Sequence, residues 1–143
     1  MSFDLKIQNR DLVIINGQLQ TVIDSEKLIQ DILKLCLTTA GSNPLHPWYG
    51  SFISRTIVGN PLYSDVLVQI SKSQLNTALE NLKTLQDKQV QSFQRVSADE
   101  LLSAITDISI VRNSIDPRLF DIRIRALTKG LKPITTVFRV SSI

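Results

Sequence analysis

The hydrophobic positions of this chain alternate between the period of a strand and the period of a helix, and each stretch predicts one element. Phe3 to Ile7 alternates weakly. Asp11 to Ile15 is rich in β-branched residues and ends at Asn16-Gly17. That dipeptide favours a type I′ turn, which needs two positive φ angles, so strands are predicted near 12 to 15 and 18 to 23 as an N-terminal β-hairpin. Asp24 or Ser25 can then cap a helix in which Leu28, Ile29, Ile32, Leu33, Cys36 and Leu37 form one buried stripe. Gly41 suits the turn that ends it, and Pro44 and Pro47 keep it from resuming.

Ser51 to Val58 predicts a short helix, and Asn60-Pro61 a restart with a capping Asn and a first-turn Pro. Leu62, Val66, Leu67, Ile70, Leu75, Ala78, Leu79, Leu82 and Leu85 mark the inner face of a long helix. Its spacing slips at Ser71 to Ser73, which fits a kink, a break or a small-residue contact. Ser97-Ala98-Asp99-Glu100 fits a capping box opening a short helix before Leu101 and Leu102. Thr106 to Arg112 alternates, as do Phe120 to Ala126 and Ile134 to Val140, with Lys129-Gly130 as the turn between the last two. The prediction is an α+β domain spanning 1–143: an N-terminal β-hairpin, a helical middle with one long helix, and a C-terminal antiparallel sheet of about three strands. No internal repeat is expected.

Bulk properties narrow the classes. A chain of 143 residues, 43% apolar and 20% charged, can bury about two thirds of its unfolded surface without a second domain. Its longest aliphatic run, Leu12-Val13-Ile14-Ile15, falls far short of the roughly 20 residues that span a bilayer, so no membrane partner is expected. Asp4, Lys6, Arg10 and Asp11 deny the N-terminus the apolar core of a secretory signal, and use in a cytoplasm is expected. The net charge of +3 is unevenly placed: residues 1–111 hold nine Lys/Arg against eleven Asp/Glu, and residues 112–143 seven against two. Such a basic tail can meet phosphates or an acidic protein surface.

Residues able to do chemistry are sparse. Cys36 lies on the apolar stripe and reads as a buried thiol; His46 is the one histidine, and nothing at a recognisable spacing would orient the two as a catalytic pair. One Cys and one His cannot close a zinc site, and no Gly-rich phosphate loop is present, so neither metal nor cofactor is expected. A glycosidase needs two carboxylates roughly 5 to 10 Å apart across a cleft. Asp24, Glu26 and Asp31 read instead as a helix start or outer face, and Glu80, Asp87, Asp99 and Glu100 as solvated faces or caps. No catalytic residue is assigned and no enzymatic activity is expected. Arg123 and Arg125 alternate with aliphatics rather than stacking aromatics, and Arg123, Arg125 and Arg139 read singly as a solvated sheet face, which disfavours nucleic acid. The last strand, Thr135 to Val140, must expose an edge unless something covers it; a partner strand and the N-terminal hairpin are both open as the cover. Trp48 and Tyr49, near His46, suit either a plug for one end of the core or interface anchors.

Two motifs carry a resemblance. Leu37, Thr38, Gly41, Pro44, Pro47, Tyr49 and Gly50 follow a leucine-rich helix, and Asp116-Pro117-Arg118-Leu119 lies between two predicted strands. With the element order, they make the chain similar to the sheath-initiator family of contractile phage tails, the gene 25-like baseplate wedge proteins, whose relatives include the baseplate subunit of type VI secretion. The second motif there reads Glu-Pro-Arg-Leu, so Asp116 is shorter by one methylene. The resemblance implies a structural role: joining wedge to sheath and templating the first sheath ring by adding a C-terminal strand. It implies a wedge interface at Asp116, Pro117, Arg118 and Leu119, with Arg118 reaching a helix bundle and Pro117 fixing the bend. It implies a sheath interface at Arg123, Arg125, Thr135, Val137, Phe138, Arg139 and Val140, and a loop motif at Gly41, Pro44, Pro47, Trp48, Tyr49 and Gly50. Implied partners are baseplate wedge proteins and the tail sheath protein, with the tube or hub as a further neighbour. Several copies would surround a symmetric baseplate in the virion tail, assembled in the host cytoplasm. An internal salt bridge from Arg118 to Asp116 or Asp121 stays open as the alternative for that element. A lysozyme-like glycoside hydrolase and a small basic nucleic-acid-binding module stay open as alternatives for the whole chain.

Overall fold

Residues 4–22 fold into three short two-stranded arms, seen in a computed structural model that describes residues 2–58 and 65–141. Strand β1 (Asp4–Leu5) pairs with β6 (Thr21–Val22), β2 (Ile7–Gln8) with β3 (Asp11–Leu12), and β4 (Ile14–Ile15) with β5 (Gln18–Leu19). The arms meet at Lys6, Val13 and Gln20, whose backbones close a ring. Lys6 N–H donates to Gln20 O, Val13 N–H to Lys6 O, and Gln20 N–H to Val13 O, at 2.8, 3.0 and 2.9 Å. These residues stand seven apart because the sequence repeats in blocks 4–10, 11–17 and 18–24. Leu5, Leu12 and Leu19 are equivalent, as are Ile7, Ile14 and Thr21. The first two blocks end in Asn9-Arg10 and Asn16-Gly17, all four with positive φ, and the third ends in Asp24, φ 53°. The repeat overturns the expectation that the chain has none, and the predicted hairpin at Asn16-Gly17 is one arm of three. A period of seven carried on two-residue strands shows neither the strand nor the helix pattern.

Helix α1 (Asp24–Leu37) follows without the predicted cap. Ile23 is the N-cap, and Asp24, with its positive φ, is the first residue of α1; its carboxylate accepts from Ser97 Oγ at 2.7 Å. The buried face holds Leu28, Ile32, Leu35 and Cys36, while Leu37 is exposed. After α2 (Ile53–Ile57) comes the long helix α3 (Asp65–Gln91). The predicted restart at Asn60-Pro61, with Leu62, lies outside the described residues. Helix α3 runs unbroken through the slip at Ser71 to Ser73, because Ser71 itself takes a buried place between Leu67 and Leu75. Val66 and Ile70 fall on the exposed side, contrary to expectation.

Residues 97–100 hold the capping bond expected from sequence, Ser97 N–H to Glu100 Oε2 at 2.9 Å, but close only one 3-10 turn, Ala98–Glu100. Leu102 begins β7 (Leu102–Arg112), so Leu101 and Leu102 are not helical. Strands β8 (Leu119–Thr128) and β9 (Pro133–Ser141) complete an antiparallel sheet in the order β7-β8-β9. Phe120, Ile122, Ile124, Ala126, Ile134, Thr136 and Phe138 face the helices; Arg123, Arg125, Thr135, Val137 and Arg139 face solvent. Helices cover one face of the sheet, and the core lies between the two layers. Among the described residues, no helix is long and apolar enough to cross a membrane.

Two buried glutamines tie these parts together. Gln30 Nε2 donates to Leu5 O at 2.8 Å, and its Oε1 accepts from Ile7 N–H at 2.9 Å. Gln86 Nε2 donates to Glu100 O at 3.0 Å, and its Oε1 accepts from Leu102 N–H at 2.8 Å. Each amide serves the carbonyl of one residue and the N–H of the residue two further on. Replacing Gln30 with Leu keeps the volume but orphans two backbone groups, each worth about 1 to 3 kcal/mol when left unpaired. Gln30→Leu should lower the urea midpoint and speed amide exchange through residues 4–22 before the C-terminal sheet; equal protection of both regions would contradict the anchoring.

Candidate functional site

The outer edge of β9 is regular and unoccupied among the described residues. Thr128 N–H donates to Lys132 O at 3.0 Å where the β8–β9 hairpin closes, and the register runs unbroken from Leu127↔Pro133 to Leu119↔Ser141. Antiparallel alternation then points the backbones of Ile134, Thr136, Phe138 and Val140 at β8. The N–H and C=O groups of Thr135, Val137 and Arg139 point away from it. The N-terminal strands pair only with one another, so the hairpin does not cap this edge. Strand β7, at the other edge, has register breaks between Leu102 and Ala104 and between Ile105 and Asp107. Such bulges blunt an edge, and the β8–β9 ladder has none.

The residues expected from sequence at a sheath interface divide between the two faces of this strand. Thr135, Val137 and Arg139 are exposed beside the open edge, Phe138 is buried in the core, and Val140 is half-buried. Phe138 therefore supports the strand from below. Arg139 Nε binds Asp121 Oδ1 at 2.7 Å, and this hydrogen bond holds the Asp121 carboxyl below its usual range. Arg123 and Arg125 are exposed on the same sheet face, with Arg125 in register with Asp107.

Asp116, Pro117, Arg118 and Leu119 lie at the opposite end of β8, in the turn from β7. Asn113 Oδ1 accepts from Ile115 and Asp116 N–H, and Asp116 Oδ1 accepts from Arg118 N–H. The Arg118 guanidinium clasps the same carboxylate, Nε to Oδ1 at 3.1 Å and Nη2 to Oδ2 at 3.2 Å. These hydrogen bonds lower the Asp116 carboxyl and raise Arg118. Of the open sequence alternatives, the chain alone adopts the internal pair. The turn is held from outside by Arg112 Nε, which donates to Pro117 O at 2.6 Å. Because the pair is exposed, Arg118→Ala should leave the melting temperature unchanged in a calorimetric scan; a clear drop would make the clasp structural.

The Gly/Pro loop is sewn back onto α1. Ser51 N–H donates to Thr38 O, Ala40 N–H to Ser51 O, and Ser51 Oγ to Cys36 O. This brings Gly50 against the backbone at φ 115°, where an added Cβ would lie 2.5 Å from Thr38 O and 2.9 Å from Ala40 N. Gly50→Ala should destabilise by about 3 kcal/mol, read from chemical denaturation, because strained φ and backbone contact act together. Tyr49 is half-buried against the core and its burial pushes the phenol up. Trp48 remains 46% exposed, edge-on to both His46 and Tyr49, so the plug role fits Tyr49 and not Trp48. Gly41 lies in the same loop at φ 86°, and Pro44 and Pro47 are exposed in it.

Cys36, Asp4 and Glu100 are engaged in the fold. Burial pushes the Cys36 thiol up to about 12, far from a nucleophile at neutral pH. Burial opposes the charge on Asp4, but hydrogen bonds from Lys34 and Gln30 outweigh it and hold the carboxyl below its usual range. Glu100 is buried and accepts from Ser2 N–H, Ser2 Oγ and Ser97 N–H. Sequence reasoning missed Gln30 and the inward role of Gln86. For Gln86 the available signal was a glutamine four residues after Leu82 on the core-facing stripe; Gln30 lies off the stripe of Leu28 and Ile32 and carried no such signal.

A helical layer on a three-stranded antiparallel sheet, with one regular edge open, defines an α+β domain suited to strand and surface contacts. The same fold is found in the crystal structure of a protein described as a candidate tail lysozyme from Geobacter sulfurreducens. The TM-score is 0.56 at 10% sequence identity, and the match covers 81% of this chain and 88% of that one. At that identity the likeness establishes a shared fold. No family model matches this chain, and no curated protein matches it.

Proposed function

We propose that this chain is a structural component of a contractile phage tail baseplate that joins the wedge to the sheath and templates the first sheath ring. The observation that carries the proposal is the open edge of β9, with Thr135, Val137 and Arg139 offering outward donors and acceptors in unbroken register. An added strand gains main-chain hydrogen bonds there, and the alternation of side chains fixes its register. Support also comes from the Gly/Pro loop, from the Asp116 to Leu119 element, and from the fold shared with a protein described in tail terms. In this proposal Arg123 and Arg125 meet an acidic sheath surface. The 113–118 turn, prepared by its own hydrogen bonds, meets wedge proteins when Arg118 exchanges Asp116 for a partner's acceptor.

The description of that neighbour as a lysozyme raises hydrolysis as a second reading. A glycosidase acid needs a carboxyl raised toward neutrality. Asp4, Asp116 and Asp121 are all held low, each by a cationic partner. None of these three is thus placed as the acid, whereas the open β9 edge gives assembly a positive geometric observation.

Val137→Pro isolates the mechanism, since Val137 N–H points outward and its loss removes no bond to β8. In light scattering with the cognate sheath subunit, wild type should abolish the lag in sheath assembly. The variant, folded by circular dichroism, should restore it. Equal seeding by both proteins would overturn strand addition.

A further inference from the structure

A groove of about 540 Å³ opens between the β2–β3 arm and the second half of α1. Ile7, Leu33, Leu37 and Tyr49 supply its apolar lining. Ile7 is 45% exposed and Leu37 58%, so the groove is open to solvent rather than an extension of the core. The apolar surface continues beyond it. Ile7 is the cross-strand partner of Leu12, and Ile14 of Leu19, so each pair shares one face of its arm. All four are exposed, as is Leu5, two residues before Ile7. The seven-residue repeat thus places leucine at the same position in three successive blocks, on arms whose aliphatic side chains remain in water. Exposed aliphatic side chains on neighbouring short arms, beside an apolar groove, mark a surface suited to interaction.

Its lining holds one cation left for a ligand. Arg10 and Lys34 are the only ionisable side chains besides the Tyr49 phenol in the lining, which contains no carboxylate. Asp4 and Asp31 already pair with Lys34. Arg10, at the tip of the arm, is exposed and has no carboxylate partner among the described residues.

We propose that this groove and the adjoining aliphatic face dock an acidic amphipathic helix of a partner protein. Its aliphatic residues at i, i+3 or i+4 and i+7 lie on Ile7, Leu33 and Leu37, and a carboxylate faces Arg10. A small anionic amphiphile can fill the groove but leaves the face over Leu12 and Leu19 in water, which favours a protein segment. The site lies apart from the β9 edge and does not rest on the tail assignment.

The test is a titration of nitrogen-15-labelled protein with a synthetic helical peptide carrying Leu at i, i+3, i+4 and i+7 and Glu at the flanking positions. The same peptide with Lys for every Glu, and decanoate, serve as competing probes. The acidic peptide should shift the amides of Asn9, Arg10, Leu33, Leu37 and Tyr49 and bind at least about fivefold more tightly than its lysine counterpart. Arg10→Glu should reverse that preference. Leu37→Ser should weaken binding with the melting temperature unchanged, because Leu37 is already exposed. Equal binding of the two peptides, shifts mapping elsewhere, silence at millimolar peptide, or saturation by decanoate alone would each overturn the proposal.

Discussion

A carboxamide that imitates a strand is the constraint on which this architecture depends. Wherever a sheet ladder stops against a helix, the last backbone donor and acceptor still need partners. A glutamine side chain carries both groups on neighbouring atoms, so Gln30 and Gln86 each form the pair of hydrogen bonds that an adjacent strand would supply. The dependence is strongest at the N-terminus. Two-residue strands do not hold together alone, and three such arms persist because the hydrogen-bonded ring closes them and Gln30 fixes them to α1. Lys34, in the wall of the groove, adds a second tie through Asp4 of the β1–β6 arm. A leucine at either glutamine would bury comparable volume and satisfy nothing.

The molecule consequently presents three different surfaces on one domain. The β9 edge offers backbone, the 113–118 turn offers a guanidinium already matched to a carboxylate, and the N-terminal arms offer aliphatic area bordered by cations. These differ in how they bind. Strand addition is directional and registers a partner to one residue. An exposed ion pair is readily exchanged, because its own worth is small in water. Apolar area is permissive about sequence and is made selective by the charges around it. A protein that must join unlike neighbours is well served by such a division.

The C-terminal sheet was legible in the sequence because one face is buried and the other wet, so Phe120, Ile122, Ile124 and Ala126 alternate with charged neighbours. The type I′ turn at Asn16-Gly17 was legible for a local reason, the positive φ that both residues accept. Helix α3 was legible at Leu67, Leu75, Ala78, Leu79 and Leu82, which are buried as expected, but not at Val66 and Ile70, which face away from the core, nor at Ser71 and Gln86, which face inward. Hydrophobicity identifies who could be buried, and packing decides who is. The state of the β9 edge was beyond sequence reasoning. Whether Val137 N–H points at β8 or away depends on one hydrogen bond, Thr128 to Lys132, that sets the phase of the whole ladder. The clasp of Arg118 on Asp116 was one of two open alternatives, and adjacent opposite charges in a turn choose the nearest partner when no other protein is present.

The same phase has a consequence for the isolated chain. Because the outward residues are 135, 137 and 139, two copies can meet about a twofold axis with Val137 opposite its own equivalent and Arg139 opposite Thr135 of the other molecule. In that arrangement no like charges face one another across the seam, and two three-stranded sheets become one of six strands. The edge thus carries no built-in refusal of its own kind. Protein concentration, and the order in which neighbours become available, therefore govern whether the strand is spent on a sister molecule or kept for a different one.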